Sequence, residues 1–562
     1  MANKSESFAV STTPPTGIIS DRQIVILVSL LIGFILFFFM LFPLYSILKM
    51  SFLKNGHFSL ASYYKYFRTP RIARSLHHSF YVAIISMIVT TILAFFFAYA
   101  LTRTTIKGKN IFYTIIMMPL ISPPIIQALA LILLFGRNGL ITAHLLKTDW
   151  SIYGAWGIII SEIFYCLPHA LVILYTTLSA VDTRIDEAAE SLGANAFQVF
   201  WKVTVPSAKY GLVSAAALVF NLTITDFGNP IVIGGNYNVL ATEIYSQVIG
   251  LQKFDMGATI SVILLIPSVA AFLVNYYISK KSFSLISGQA RPFLRPSRMW
   301  KKIGFTGYCI LISACIILIY VTVVFGSFVK VWPYDWRLSF THYNFPSIGG
   351  YASLWTSFWI AIVVGIIGAS LTLVSGYIVE KAKPKGSQLL YLLSVMPAAI
   401  PGTVMGLGYI LAFNRPYYIF YGTPWIIIIN VVICNYTLGM LSSITNLKQI
   451  DKSMEEAATS LGASIITTFT RVVFPLSKVA FMQTFIYYFM RSMVTISAVI
   501  FLVSATVHLA AIEIIYLDMD GRMGSANAMA TVIMVIVLSF LGVVRFIGKK
   551  KFSSPQMQQS SV

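Results

Sequence analysis

Three ionisable side chains, Glu162, Asp226 and Arg491, stand inside long apolar runs of this 562-residue chain. A charge at membrane depth is costly, so such residues face a protein interior or a water-filled space. Glu162 and Arg491 carry opposite charges and read most plainly as an internal ion pair. The other reading makes all three contacts for a passing solute, with Asp226, in Asp226-Phe227-Gly228-Asn229-Pro230, suited to a cation. Two proline pairs, Pro119/Pro123 and Pro397/Pro401, interrupt apolar runs at matching places. Proline leaves a carbonyl without its helical donor. At membrane depth that is tolerated where protein or a water-filled cavity satisfies the carbonyl, so the pairs mark either a translocation path or two packing kinks. His169, after Pro168, reads as a satisfied histidine of the helix bundle, and Glu243 as an outer-side contact for a partner protein. Residue patterns for bond-making chemistry are missing. The chain has no G-x4-GK[ST] phosphate loop, no HExxH and no GxSxG. Its four cysteines, Cys166, Cys309, Cys315 and Cys434, form no CxxC pair. We therefore expect no catalytic residue, no cofactor and no metal site, and any ATP hydrolysis on a separate chain.

The most specific pattern lies outside the apolar runs and occurs twice. Glu187-Ala188-Ala189-Glu190-Ser191-Leu192-Gly193 is followed by Pro206, and Glu456-Ala457-Ala458-Thr459-Ser460-Leu461-Gly462 by Pro475, thirteen residues after each glycine. Each copy reads as a short helix, a turn and a second short helix. Asp182 and Asp451 are good N-caps, and Asp186, Glu187, Glu455 and Glu456 put negative charge where the helix dipole favours it. Gly193 and Gly462 can take the left-handed conformation that ends a helix, and Asn195 with Gln198 resembles a capping box restarting one. Pro206 and Pro475 close the unit for want of a donor. The alanines leave a smooth face for a groove on another protein. A pair of amphipathic connector helices is the plainer reading of a single copy, and duplication in equivalent places argues against it.

The pattern EAA-x3-G-x9-hydrophobic-x-hydrophobic-Pro, completed by Val203-Thr204-Val205-Pro206 and Val472-Val473-Phe474-Pro475, resembles the signature of binding-protein-dependent ABC import permeases. The resemblance implies an all-α integral membrane fold of the MetI-like, type I importer kind. It also implies that each motif is a cytoplasmic coupling helix docking on an ABC ATPase, present in two copies, with a solute-binding protein outside. Glu187 and Glu456 would anchor the coupling helices, and Gly193 and Gly462 would set the turn. A single chain holding two such halves looks most like the fused iron(III) permeases, with thiamine and 2-aminoethylphosphonate permeases as relatives. From another class, an ion-coupled secondary transporter with twelve spans needs no repeated docking helix and would hold more intramembrane carboxylates.

The elements that must position these residues are membrane helices. With 57% hydrophobic and 10% charged residues the chain is too apolar for an ordinary soluble protein. Runs of about 20 apolar residues recur, enough to cross roughly 30 Å of hydrocarbon as helices. Twelve spans are expected in two parallel six-helix repeats. The first permease domain covers 24–279, with motif 187–206, and the second 303–547, with motif 456–475. A basic cytoplasmic linker, 280–302, joins them, and tails 1–23 and 548–562 flank them. The proline pairs repeat at an offset of 278 (397 minus 119) and the signatures at 269 (456 minus 187). The net charge of +21 lies in short loops between spans, which fits a protein in a lipid bilayer and not one on nucleic acid. With the N-terminus inside, inner segments hold 26 of the 40 Lys and Arg and outer segments 13, which puts both termini in the cytoplasm of a multi-pass inner-membrane protein. The outer segment 49–74 resists the rule with six basic residues. It reads as a solvated amphipathic stretch or as a dock for an acidic partner.

Overall fold

The structure is a computed structural model. It describes residues 20–552 except 55, 183, 285–298, 346–348, 415–417, 419, 421 and 505. The expected tails beyond these limits, and linker residues 285–298 with Arg291, Arg295 and Arg298, lie outside the described residues.

The described chain is helical apart from two short hairpins. The first half begins with α1 (Asp21–Phe52), α2 (Pro70–Arg103), α3 (Lys109–Ile116), α4 (Ile125–Phe135) and α5 (Ala155–Ala180). Two short helices follow, α6 (Arg184–Ser191) and α7 (Ala196–Ser207), and then α8 (Lys209–Thr225), α9 (Gly228–Ile233), α10 (Leu240–Tyr245) and α11 (Phe254–Ser284). The second half repeats the order with α12 (Met299–Phe328), α13 (Gly350–Ala382), α14 (Ser387–Ala399), α15 (Gly402–Phe413), α16 (Pro424–Cys434) and α17 (Tyr436–Leu447). It ends with α18 (Lys452–Ser460), α19 (Ile465–Leu476), α20 (Lys478–Val494), α21 (Ala510–Met519) and α22 (Met523–Phe552). Among the described residues eight helices are long and apolar enough to cross a bilayer, and four bent pairs bring the number to twelve. Helix α1 starts where Ser20 and Gln23 satisfy each other's backbone donors as a capping box. The exposed faces of the long helices carry Leu27, Leu30, Phe34, Ile310, Val321 and Val535. Such a surface suits acyl chains.

Several spans are not the straight helices that hydropathy suggests. The ninth, expected over 389–413, turns by 107° between α14 and α15 at Ile400–Pro401. The third, expected over 111–134, breaks into α3, a tight turn Met118–Leu120 and α4. The fifth, expected over 212–233, stops at Asp226 and restarts as α9, because Asp226 turns extended and its carboxylate accepts the N–H of Asn229 at 2.9 Å. The eleventh, expected over 479–503, stops at the equivalent residue, Thr495. Both linker ends are helical, α11 reaching Ser284 and α12 starting at Met299.

The halves interlock. Helix α1 packs on α15 of the other half, and α12 packs on α4. Gly408 makes the first contact possible, since a Cβ there would lie 3.0 Å from both the carbonyl oxygen and Cβ of Pro43. The puzzling segment 49–74 contains a surface helix, Ala61–Arg68, held by the fully buried Tyr66, with Arg68 over the ring of Tyr64 at 4.5 Å.

Candidate functional site

The two signature copies fold alike and stand out from the protein. In the first, the N–H of Arg184 is capped by Asp182 Oδ1 at 3.0 Å, and α6 ends at Gly193 with φ +87°. Asn195 and Gln198 then exchange two 2.9 Å hydrogen bonds as a capping box, restarting the chain as α7. In the second, Asp451 caps the N–H of Ser453 at 3.0 Å, Gly462 has φ +76°, and Ser464 caps α19. The backbone bonds around Asp451 hold its carboxyl below the usual range. Glycine is the residue that reaches this φ without a Cβ clash. Pro206 and Pro475 were expected to close the units, but the bends of 65° and 75° come two residues later, at Ala208 and Ser477. The missing proline donor instead coincides with a wider turn just before it, in which Val205 N bonds Phe200 O and Phe474 N bonds Phe469 O.

Ala188, Gly193, Pro206, Glu456, Ala457, Gly462 and Pro475 are exposed, while Ala189, Glu187 and Ala458 are half-buried. The residues before the two glycines, Leu192 and Leu461, are 89% and 88% exposed. Phe197, Trp201 and Ile466 are also exposed, though less so. Each unit therefore exposes an apolar face at the bend before α8 or α20, as a docking element requires.

The acids just before the signature glutamates, Asp186 and Glu455, do something the sequence reading missed. Asp186 turns inward to Arg103 at the end of α2, with Nη1 and Oδ2 3.5 Å apart, and Arg103 Nη2 also donates to the carbonyls of Leu178 and Val181. In the second half Glu455 meets Lys381 at the end of α13 at 2.8 Å, and Lys381 Nζ donates to the carbonyl of Ile450 at 2.8 Å. The signal was in the sequence, since Lys381 follows Arg103 by 278 residues, and Glu455 and Ile450 follow Asp186 and Val181 by 269.

Between the halves lies a cavity of about 190 Å³ lined by Asp226, Arg491, Pro397, Pro401, Tyr165 and Asn435, among others. Of the residues expected to line a path, Asp226, Arg491 and the second proline pair meet here. Pro119 and Pro123 do not line it, and the neighbouring Pro124 does. The expected ion pair between Glu162 and Arg491 is absent. Glu162 accepts from Asn229 Nδ2 at 3.2 Å and shares a hydrogen bond with the Asp226 carboxyl. Arg491 Nε donates to Asn435 Oδ1 at 3.3 Å, which also accepts from the Tyr487 hydroxyl at 3.2 Å. The break at Asp226 is the reason, because it delivers both Asp226 and Asn229 to Glu162. His169 is half-buried and hydrogen-bonded to the carbonyl of Tyr165, as expected. Glu243 is not an outer contact. It is 2% exposed and bonded to Gln247 and Asn238. Among the described residues no three His, Cys, Asp or Glu converge on a metal site.

Two interlocked helical repeats, each carrying one exposed helix-turn-helix unit, with a small cavity between them, are the architecture of a membrane conduit. The chain belongs to the family of binding-protein-dependent transport system inner membrane components, whose model matches residues 91–284 and 368–553. It is thus a permease subunit of an ABC importer, a non-catalytic, multi-pass membrane protein of a complex with an ATPase and a binding protein. It is similar to the ferric transport system permease protein FbpB of Actinobacillus pleuropneumoniae, 31% identical over 90% of this chain and 76% of that protein. FbpB 1 of Haemophilus influenzae, named for the same ferric transport role, is 32% identical over 84% of this chain and 77% of its own length. The sulfate transport system permease protein CysW of Synechococcus elongatus is 29% identical over 32% of this chain and 62% of its own length.

Proposed function

We propose that this permease moves iron(III), delivered by an extracytoplasmic binding protein, across the cell membrane, driven by two copies of an ABC ATPase docked on α6/α7 and α18/α19. In this reading 24–279 and 303–547 are the two permease domains, joined by a cytoplasmic linker over 280–302. Both termini are cytoplasmic, which puts the docking units on the side where ATP is found. The observation that carries the reading is the pair of protruding units built alike around Gly193 and Gly462. Iron(III) is favoured by the fused two-half layout shared with the ferric permeases over most of the chain.

Asp226 and Arg491 are the proposed path contacts, because they reach one cavity from opposite halves. ATPase closure would draw the two docking units together and shift the spans between states open to opposite sides, a change that requires unequal affinity of the ATPase for those states. The test is reconstitution in vesicles with the ATPase and binding protein. ATP-dependent entry of iron delivered by the binding protein is the expected result. Entry driven by an ion gradient without ATP would replace the importer by a secondary transporter. ATP-dependent entry of 2-aminoethylphosphonate or thiamine in place of iron would correct the substrate alone.

A further inference from the structure

Helices α2 and α13 are held at both ends by the same contacts in both halves. At the inner ends are the pairs Arg103–Asp186 and Lys381–Glu455. Twenty-four residues earlier in each helix (103 minus 79, 381 minus 357), Ser79 and Ser357 accept the N–H of Leu240 and Ala510 at 2.7 and 2.9 Å. Those two N–H groups open α10 and α21. Twenty-four helical residues rise about 36 Å, slightly more than a bilayer's hydrocarbon core. Each helix thus ties a docking unit on one side to a short helix near the other.

We propose that α2 and α13 are rigid struts, pinned by Arg103–Asp186 and Lys381–Glu455, that carry ATPase movement from the docking units to the far mouth of the central cavity. The inference rests on the coupling reading above. Both pins keep charge and approximate reach while every residue in them differs, Arg with Asp in one half and Lys with Glu in the other. A longer base with a shorter acid, and the reverse, is what selection for the contact leaves behind in a duplicated chain. All four side chains are largely withdrawn from solvent, between 4% and 19% exposed, so the pins are not ordinary surface pairs, which contribute little. The line continues beyond the struts. Tyr245, at the end of α10, packs on Phe227 at 5.2 Å and on Phe501 of the other half at 6.1 Å. Phe227 follows Asp226, which lines the cavity. On their flanks α2 packs on α5 and α8, and α13 on α17 and α20, the helices that carry Glu162, Asp226, Asn435 and Arg491 or end beside them.

These four are positioning residues, and one of them separates positioning from stability. Burial holds the Asp186 carboxyl above its usual range, with Arg103 pulling it down. A carboxyl raised on folding adds stability that is full below its unfolded pKa and lost as pH rises through the folded one. Asp186→Asn keeps the size of the side chain and removes the charge facing Arg103, so its thermal midpoint is measured beside the labelling.

The experiment uses the permease with its ATPase in lipid nanodiscs and a reporter in the cavity wall, Ser497→Cys. Its labelling by a small thiol reagent is measured with and without ATP, against the same chain lacking the reporter. Asp186→Asn and Lys381→Met should keep the ATPase bound yet reduce the ATP-dependent change in labelling by about fivefold or more, the low end of coupling between sites. Arg103→Lys with Asp186→Glu, which copies the second half's pin into the first, should restore it. An undiminished response in Asp186→Asn and Lys381→Met, or a copied pin as silent as Asp186→Asn, overturns the struts and leaves the importer reading standing. Loss of ATPase binding in the pin variants would reduce the pins to shaping the docking face and equally overturn them. An unvaried permease that ignores ATP with its ATPase docked would take down the coupling reading and the struts together.

Discussion

Gly193 and Gly462 allow the docking units to be tested without disturbing the bundle. Their φ values are +87° and +76°, and an added Cβ at either would meet nothing within 4 Å. Substitution therefore acts through backbone conformation and not through packing. An L-residue in the left-handed region costs about 1–2 kcal/mol, so Gly→Ala at one site should weaken ATPase binding by up to about fivefold to thirtyfold, at 1.4 kcal/mol per factor of ten. Asparagine tolerates this region best among the other residues and should bind close to the unvaried protein. Valine, β-branched, should be worst. The two sites belong to separate units, so their free energies should add in the double Gly193→Ala, Gly462→Ala variant. The assay is titration of detergent-solubilised permease with labelled ATPase across Gly, Asn, Ala and Val. Conformation orders affinity as Gly, Asn, Ala, Val, whereas bulk at the interface would place Ala ahead of Asn. An asparagine variant weaker than alanine would refute the reasoning.

Three further outcomes follow from packing, titration and buried charge. Gly408→Ala drives a Cβ against the Pro43 carbonyl and should cost about 1–3 kcal/mol as overpacking, read as a lower thermal midpoint in detergent. Gly304→Ala, where a Cβ meets open space, serves as the control and should not fall. Burial pushes the Asp518 carboxyl from an ordinary 3.8 up to about 6. Its stabilising effect is complete below the unfolded value and lost as pH rises through about 6, so Asp518→Asn should stabilise the protein at pH 8 by at most about 3 kcal/mol, read as a higher midpoint, with the gain vanishing in acid. A gain that does not change with pH would contradict this. Arg491→Leu removes the Nε donor to Asn435 Oδ1, which keeps the Tyr487 hydroxyl as a donor. Uptake of binding-protein-delivered iron should be lost in a variant that still binds the ATPase, and uptake that survives would remove Arg491 from the path.

The sequence disclosed what repeats locally and hid what depends on tertiary contact. The twelve apolar runs and both docking units were legible because hydropathy, N-caps, a left-handed glycine and a capping box are local signals. The break at Asp226 was half-legible, since Asp226-Phe227-Gly228-Asn229-Pro230 is turn chemistry inside an apolar run. Its counterpart at Thr495 has no such signal, because 495–498 reads Thr-Ile-Ser-Ala. The Glu162–Arg491 pair was expected from opposite charge alone, and charge cannot foresee that a broken helix delivers Asp226 and Asn229 to Glu162 first. The pins were hidden for another reason. Arg103 and Lys381 sit at span ends, where positive charge is ordinary on the inner side, and only the partner's position shows that they are buried in a contact.

The duplication divides labour within the molecule. The parts to which the proposals give a mechanical role occur twice at fixed offsets, as with Gly193 and Gly462, Asp186 and Glu455, Arg103 and Lys381, and Ser79 and Ser357. The charged groups at and beside the cavity do not repeat. At the 269-residue offset Glu162 and Asp226 correspond to Val431 and Thr495, and Arg491 corresponds to Leu222. In the proposed mechanism two copies of one ATPase would deliver equal strokes to both halves, and equal strokes require equal levers. On the proposed path a solute would meet Asp226 from one half and Arg491 from the other, which distinguishes the two sides of the cavity. An exact repeat would have put like charges across a narrow cavity, where at low dielectric their repulsion is strongest. Fusing the halves into one chain fixes which wall faces which, and that is the physical gain of carrying both on a single polypeptide.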